Sequence, residues 1–156
     1  MASLIIGFSY LQRSGIPFGA VRAGNIIVEE NGLIRIAHPL MVLEASNFQA
    51  YSSGNTRETL YLSPRELEAL RSKHPLPTHN PFKSDVFTLG VVIIDLALLA
   101  SQKDTYTDYQ AISLSNLQRS LNDLEAKYGK EFMSIIQLMT EPMSRRGWTG
   151  FSSKSS

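Results

Sequence analysis

The chain has 156 residues, 43% of them apolar and 19% charged, the make-up of one soluble globular domain and not of a disordered segment. Fifteen basic residues against fourteen acidic ones leave a net charge of +1, which gives no electrostatic footprint for nucleic acid or an anionic membrane. The chain has no cysteine, which excludes a disulfide framework, a thiolate nucleophile and any cysteine-ligated metal.

Ser3 is placed to cap a helix whose apolar residues Leu4, Ile5, Phe8 and Leu11 fall at helical spacing, with Gly15 just past its end. This apolar start lacks the basic residues that open a secretory signal. A loop from Gly15 to Gly24 follows. Two short apolar runs come next, Asn25-Ile26-Ile27-Val28 and Leu33-Ile34-Arg35-Ile36, and Asn31-Gly32 between them is a strong hairpin signal. From Ala37 to Leu62 periodicity is lost in favour of Ser, Thr, Asn and Gly, so a long irregular segment is expected.

Order returns at Ser63-Pro64-Arg65-Glu66, a capping box with proline at the first helical position, and Leu67 and Leu70 supply the apolar face. Three prolines between Lys73 and Pro81 mark a connection. The run Val86 to Ala100 is apolar apart from Asp95. It falls short of the roughly 20 residues a membrane span needs, so it predicts a buried core helix from about Ser84 to Ala100. Leu114, Leu117, Leu121, Leu124 and Tyr128 predict an amphipathic helix that ends near Gly129. Phe132, Ile135, Ile136 and Met139 predict another that stops before Pro142. The serine-rich end, residues 149–156, reads as a disordered tail. The sum is mainly α with one small β-hairpin.

That order of elements, with Lys83-Ser84-Asp85-Val86-Phe87-Thr88-Leu89-Gly90 at the head of the buried helix, resembles the C-terminal lobe of eukaryotic protein kinases. The family opens its central helix on S-D-V-W-S-x-G, and the resemblance implies that Asp85 bonds the catalytic-loop backbone from inside the core. A carboxylate near a helix N-terminus is also stabilised by the helix dipole. Leu11-Gln12-Arg13-Ser14-Gly15-Ile16, followed by Asn25-Ile26-Ile27-Val28, is similar to Y-L-H-x-x-x-I…N-I-L-L. Tyr61-Leu62-Ser63-Pro64 is similar to the close of the activation segment, and Glu141-Pro142-Met143-Ser144-Arg145 to D-P-x-x-R.

The resemblance covers residues 1–148. It implies a helix before the catalytic loop at 1–15, a degenerate catalytic loop at 16–25 and the hairpin at 25–36. It also implies an activation-segment-like stretch at 37–66, the central helix at 84–100 and C-terminal helices at 111–148. The expected fold is a protein-kinase-like C-lobe of α+β type. The N-lobe motifs, a G-x-G-x-x-G loop and a V-A-I-K-type strand lysine, are not in this chain.

Phosphoryl transfer needs a group that orients or accepts the hydroxyl proton, together with acidic ligands for the metals. Counting back from Asn25, the family's H-R-D positions hold Phe18, Gly19 and Ala20, and its loop lysine is Arg22. Ala37-His38-Pro39 stand where D-F-G would be. Asn25 remains as a metal-side remnant, yet a neutral amide alone suits a hard cation poorly, and bonding nearby loop backbone is an equal alternative. Arg65 takes the glutamate position of A-P-E, so Glu66 is either a capping-box residue or a partner of Arg145. Ile27, Val92 and Leu96 match apolar positions beneath the family's adenine, and an ordinary core role accounts for them as well.

The expectation is therefore a catalytically inactive, pseudokinase-like lobe that acts as a protein-interaction or scaffolding module. No cofactor is expected, ATP and magnesium included. Protein partners are expected, with no nucleic acid and no membrane insertion, and an intracellular, cytoplasmic location. Two rivals stand beside it: a nucleotide-binding switch completed by an N-lobe, and an atypical active kinase that takes its acid from Glu29 or Glu30. His38, His74 and His79 form no metal pattern. Ser46, Ser52, Ser53, Thr56 and Thr59 are phosphoacceptor candidates among which the sequence selects none. Apolar surface normally covered by an N-lobe would be exposed, so a fragment or an obligate member of a complex is expected.

Overall fold

The computed structural model describes residues 2–37, 46–54, 60–73, 80–107 and 111–141. Its first helix, α1, runs over Ala2–Arg13, which puts Ser3 inside the first turn and not at the cap. Leu4 is buried, and Phe8 and Leu11 pack on the core, whereas Ile5 is exposed. A Schellman motif ends the helix: Ile16 N–H donates to the Leu11 carbonyl and Gly15 N–H to that of Gln12, with Gly15 at φ +71°.

Strands β1 (Ile26–Val28) and β2 (Ile34–Ile36) pair antiparallel, Ile27 opposite Arg35. Gly32 adopts φ +80° while Asn31 does not take a positive φ, and Gly32 N–H donates to the Glu29 carbonyl. The turn is thus a three-residue loop with one left-handed glycine, tightened by the Asn31 side chain accepting from Leu33 N–H.

The stretch expected to be irregular contains a short helix, α2, Asn47–Ser52. Ser46 Oγ accepts from Gln49 N–H and Gln49 Oε1 from Ser46 N–H, a reciprocal capping box, and Phe48 and Ala50 are buried. Helix α3, Pro64–Arg71, starts on the Ser63–Glu66 capping box.

Helix α4 spans Pro81–Leu98, three residues longer at its start than the apolar run suggests. Asn80 caps it through Phe82 N–H and Pro81 occupies the first helical position, so Ser84 and Asp85 lie within the helix. Its middle, Phe87 to Ile94, is buried all round, the mark of a helix that forms the core itself. Leu99, at φ 52°, closes it.

A second, two-residue pair of strands, β3 (Tyr106–Thr107) and β4 (Ala111–Ile112), is too short to give an alternation signal. Helix α5, Leu114–Tyr128, is capped by Ser113 and stopped at Gly129. It buries Leu117, Leu121 and Leu124 but leaves Leu114 and Tyr128 exposed, so its apolar stripe is narrower than the spacing implies. In α6, Lys130–Thr140, the buried residues are Met133, Ile136 and Thr140, while Ile135 is exposed.

Helix α6 packs on α4 and α5, α5 on α4, α1 on β2 and α3 on β4. Gly90 lets α4 and α6 approach closely: a Cβ there would sit 2.6 Å from Thr140 Cγ2. Among the described residues no helix is long and apolar enough to cross a membrane. His38, Pro39, Thr56, Thr59, His74, His79, Arg145 and the tail 149–156 lie outside the described residues.

Candidate functional site

The loop between α1 and β1 owes its shape to side chains from distant elements. Phe18 N–H and Gly19 N–H donate to Asp85 Oδ2 and Oδ1, each at 2.7 Å, so a carboxylate of α4 holds two consecutive amides. Gly19 takes φ +68°, which favours glycine, and an added Cβ would lie a tight 3.2 Å from Ser46 Cβ. The Phe18 ring is buried and meets Phe8 edge-on at 5.8 Å. Ala20 is buried too, and its carbonyl accepts from Asn25 Nδ2 at 2.9 Å. Asn25 in turn accepts the backbone N–H of Ala37 on its own carbonyl at 2.9 Å. Ala20, Asn25 and Ala37 are thereby brought into one small cluster.

Arg22 is 8% exposed, which a guanidinium tolerates only when it is partnered. Its Nε donates to Asn47 Oδ1 at 2.8 Å, and Asn47 Nδ2 donates to the carbonyls of Val21 and Tyr61. Tyr61 carries this network to α4. Its hydroxyl donates to Asp95 Oδ2 at 2.7 Å and accepts from Gln102 N–H at 3.0 Å. Its ring stacks on Tyr106, 5.7 Å between centroids, and the Tyr106 hydroxyl donates to the Leu62 carbonyl. Burial, reinforced by the bond to Asp95, pushes the Tyr61 phenol up to about 12.

A family model for protein tyrosine and serine/threonine kinases matches residues 1–146. The chain belongs to the protein kinase family. It is 25% identical over 166 residues to germinal center kinase 3 of Caenorhabditis elegans, an alignment that covers 93% of this chain and 26% of that protein. The chain thus spans about a quarter of the length of that relative.

Within this kinase-family lobe the remaining singled-out residues separate. Ser63 Oγ lies 2.7 Å from Ser84 Oγ, joining the start of α3 to α4. The Glu66 carboxylate accepts from Ser63 N–H at 2.7 Å, and burial raises its pKa above 4.5 in spite of that bond. Of the three apolar positions, Val92 is 1% exposed and in the core, but Ile27 and Leu96 are 50% and 43% exposed. A core role therefore holds for Val92 only. Glu29 is ion-paired with Arg35 across the hairpin, and Glu30 is exposed in its turn.

Asn47, Asp95 and Gln102 are structural members of the site that residue patterns did not single out. Asp95 is visible in the sequence only as the one charge in an apolar run, and Asn47 lies in the stretch read as irregular. Among the described residues no three His, Cys, Asp or Glu side chains lie together as a metal site. A cavity of about 540 Å³ between α5 and α6, lined by Leu117, Leu121 and Leu138 among others, shares no residue with the loop.

Proposed function

We propose that this kinase-family chain is a pseudokinase-like lobe without phosphotransferase activity, and that it works as a protein-interaction or scaffolding module. One observation carries the reading. The loop 18–25 is held by Asp85, Asn25 and Asn47, yet methyl groups stand at the positions matched to the proton acceptor (Ala20) and the first metal ligand (Ala37). A buried methyl neither accepts a proton nor binds a cation. Ala20 is 5% exposed, so its side chain is buried in the loop and not presented to a substrate.

The cluster does not fit magnesium. Ala37 offers no side-chain oxygen, and Asn25, whose Nδ2 donates to the Ala20 carbonyl, brings only the neutral amide Oδ1, whereas Mg²⁺ seeks an octahedron of hard, mostly anionic or water oxygens. Glu29 is tied to Arg35 in the hairpin turn, a support for leaving it out of any catalytic role. The binding side of the proposal draws on the hairpin, where Ile27 and Val28, on opposite faces of β1, and Leu33 are all exposed apolar side chains open to a partner.

The test uses the full natural protein in two assays, radiolabelled phosphate transfer from ATP and titration with a fluorescent ATP analogue with and without magnesium. Neither transfer nor binding is expected. Transfer that disappears on Asn25→Ala would overturn the non-catalytic reading. Analogue binding without transfer would replace it with a nucleotide-binding switch.

A further inference from the structure

The Asn31-Gly32 pair at the tip of the hairpin has a chemistry that turn formation does not use. Of the seven asparagines in the chain, Asn31 is the one followed by glycine. The other asparagines among the described residues are held back by their surroundings. Asn25 and Asn47 are buried, with their amides donating to backbone carbonyls. Asn80 precedes Pro81, which has no N–H. Asn116 and Asn122 lie within α5, where the helix fixes the backbone around them.

Asn31 differs on each count. It and Gly32 are both exposed. A Cβ at Gly32 would meet nothing within 4 Å, so the space over that backbone is open. The Asn31 side chain is already folded toward the residues that follow, since its Oδ1 accepts from Leu33 N–H at 2.8 Å. That bond closes over the peptide between Asn31 and Gly32 and keeps Cγ on the side of the Gly32 nitrogen. The amide nitrogen Nδ2 donates to Glu29 Oε2 at 3.5 Å in the open, which is a weak hold. One bond shields the site: Gly32 N–H donates to the Glu29 carbonyl at 2.8 Å. The two strands have three residues each, and so short a ribbon opens at its tip without disturbing the core.

We propose that Asn31 is a site of spontaneous covalent modification, at which the side chain closes on the Gly32 backbone with loss of ammonia. The Gly32 nitrogen gives its proton to hydroxide and attacks Asn31 Cγ. The new N–Cγ bond forms, the Cγ–Nδ2 bond breaks, and Nδ2 takes a proton from water and leaves as ammonia. A cyclic imide remains. Water then opens one of its two carbonyls, which gives an aspartyl or an isoaspartyl residue at position 31, and nothing is oxidised or reduced. Either product sets a carboxylate beside Glu29 and Glu30 and cancels the net charge of +1. The isoaspartyl product also routes the backbone through the side chain, adding a methylene to a turn whose bonds, Glu29 N–H to Leu33 and Gly32 N–H to Glu29, are spaced for the shorter path. Only an effect on a partner's contact with Ile27, Val28 and Leu33 rests on the interaction-module reading; the chemistry at Asn31 does not.

The test incubates the full natural protein in its folded state at body temperature, over a range of neutral to mildly alkaline pH. Peptide mass spectrometry locates each converted asparagine, and enzymatic methylation specific for isoaspartate identifies the product. Asn31 is expected to convert about tenfold faster or more than any other asparagine of the described residues, because the attack is intramolecular and unobstructed. Isoaspartate should form alongside aspartate, and the rate should rise with pH because the attacking nitrogen must first lose its proton. Asn31→Gln, which lengthens the side chain at an exposed position, should abolish the isoaspartate at residue 31. Conversion at Asn31 no faster than elsewhere would overturn the site. A rate unmoved by pH, or aspartate with no isoaspartate, would overturn the ring closure. The assay contains neither nucleotide nor partner, so this modification and the non-catalytic reading can fail separately.

Discussion

Asp85 Oδ2 accepts the backbone N–H of Phe18 at 2.7 Å, across sixty-seven positions of sequence. With the matching bond from Gly19, it makes one carboxylate the inner anchor of the whole loop. Asp85→Asn replaces one acceptor oxygen with a donor that faces an N–H, and removes the charge from the remaining bond. The variant is expected to lose about 3 kcal/mol in urea unfolding, with an unchanged denaturant slope. A loss below about 1 kcal/mol would mean that the anchor is dispensable.

Gly90 sits where α4 and α6 come closest, and an added methyl would meet Thr140 Cγ2 at 2.6 Å and Met139 Cβ at 3.1 Å. Gly90→Ala forces the two helices apart and should cost about 1–3 kcal/mol, in spite of alanine's better helix propensity. Gly24→Ala is the control, since a methyl there meets nothing within 4 Å. Its expected effect is within about 0.5 kcal/mol. Thermal unfolding of the two side by side checks both.

Glu66 has a folded-state pKa raised by burial above 4.5. Its folded form therefore holds a proton that the unfolded form releases, and this group favours folding most at pH below 4.5. That contribution is lost as pH rises from 4.5 through the folded value. Glu66→Gln keeps an acceptor for Ser63 N–H and removes the titration, so this component of the pH dependence should vanish in the variant. At pH 7 the variant is expected to be at least as stable as the parent. Denaturant midpoints measured across that window decide it, and a loss above about 1 kcal/mol at pH 7 contradicts the burial argument.

Tyr61 titrates at about 12, up from 10.0. Its stabilising contribution is complete below pH 10.0 and falls away as pH rises through about 12, where the phenolate loses the bond to Asp95. Tyr61→Phe should be less stable by about 1–2 kcal/mol near neutrality, because Asp95 and Gln102 N–H each lose a partner. The gap between parent and variant should close with rising pH over that window. A gap that stays constant from neutrality to strong alkali would show that the hydroxyl carries none of it.

The elements with strong local chemistry were legible from sequence. The Ser63–Glu66 capping box, the apolar run of α4 and the Gly129 stop each depend on residues within a turn or two of one another. Helix α2 was hidden because Ser46 and Gln49 form the same box over only six residues, with two buried side chains and no repeat of the apolar face. Helix α4 starts ahead of the predicted Ser84 because its first turn is polar and outside the apolar run, and the start is set by Asn80-Pro81. The half-exposure of Ile27 and Leu96 could not be read from type, since an apolar side chain fits surface and core alike. The Asn47 network was beyond reach for a simpler reason. It joins positions 19 to 22, 47 and 61, and no periodicity relates them.

The long reach of Asp85 also has a meaning in time. At synthesis rates of about 5–20 residues per second, Phe18 leaves the ribosome on the order of 3–13 seconds before the carboxylate that will hold it. For that interval α1 and the hairpin it packs on are made, but the carboxylate that fixes the loop between them is not. The loop then acquires its shape in a late step, when α4 arrives and closes a long segment of chain at once. A nascent chain that has not reached residue 85 therefore carries the loop 18–22 without the carboxylate that shapes it.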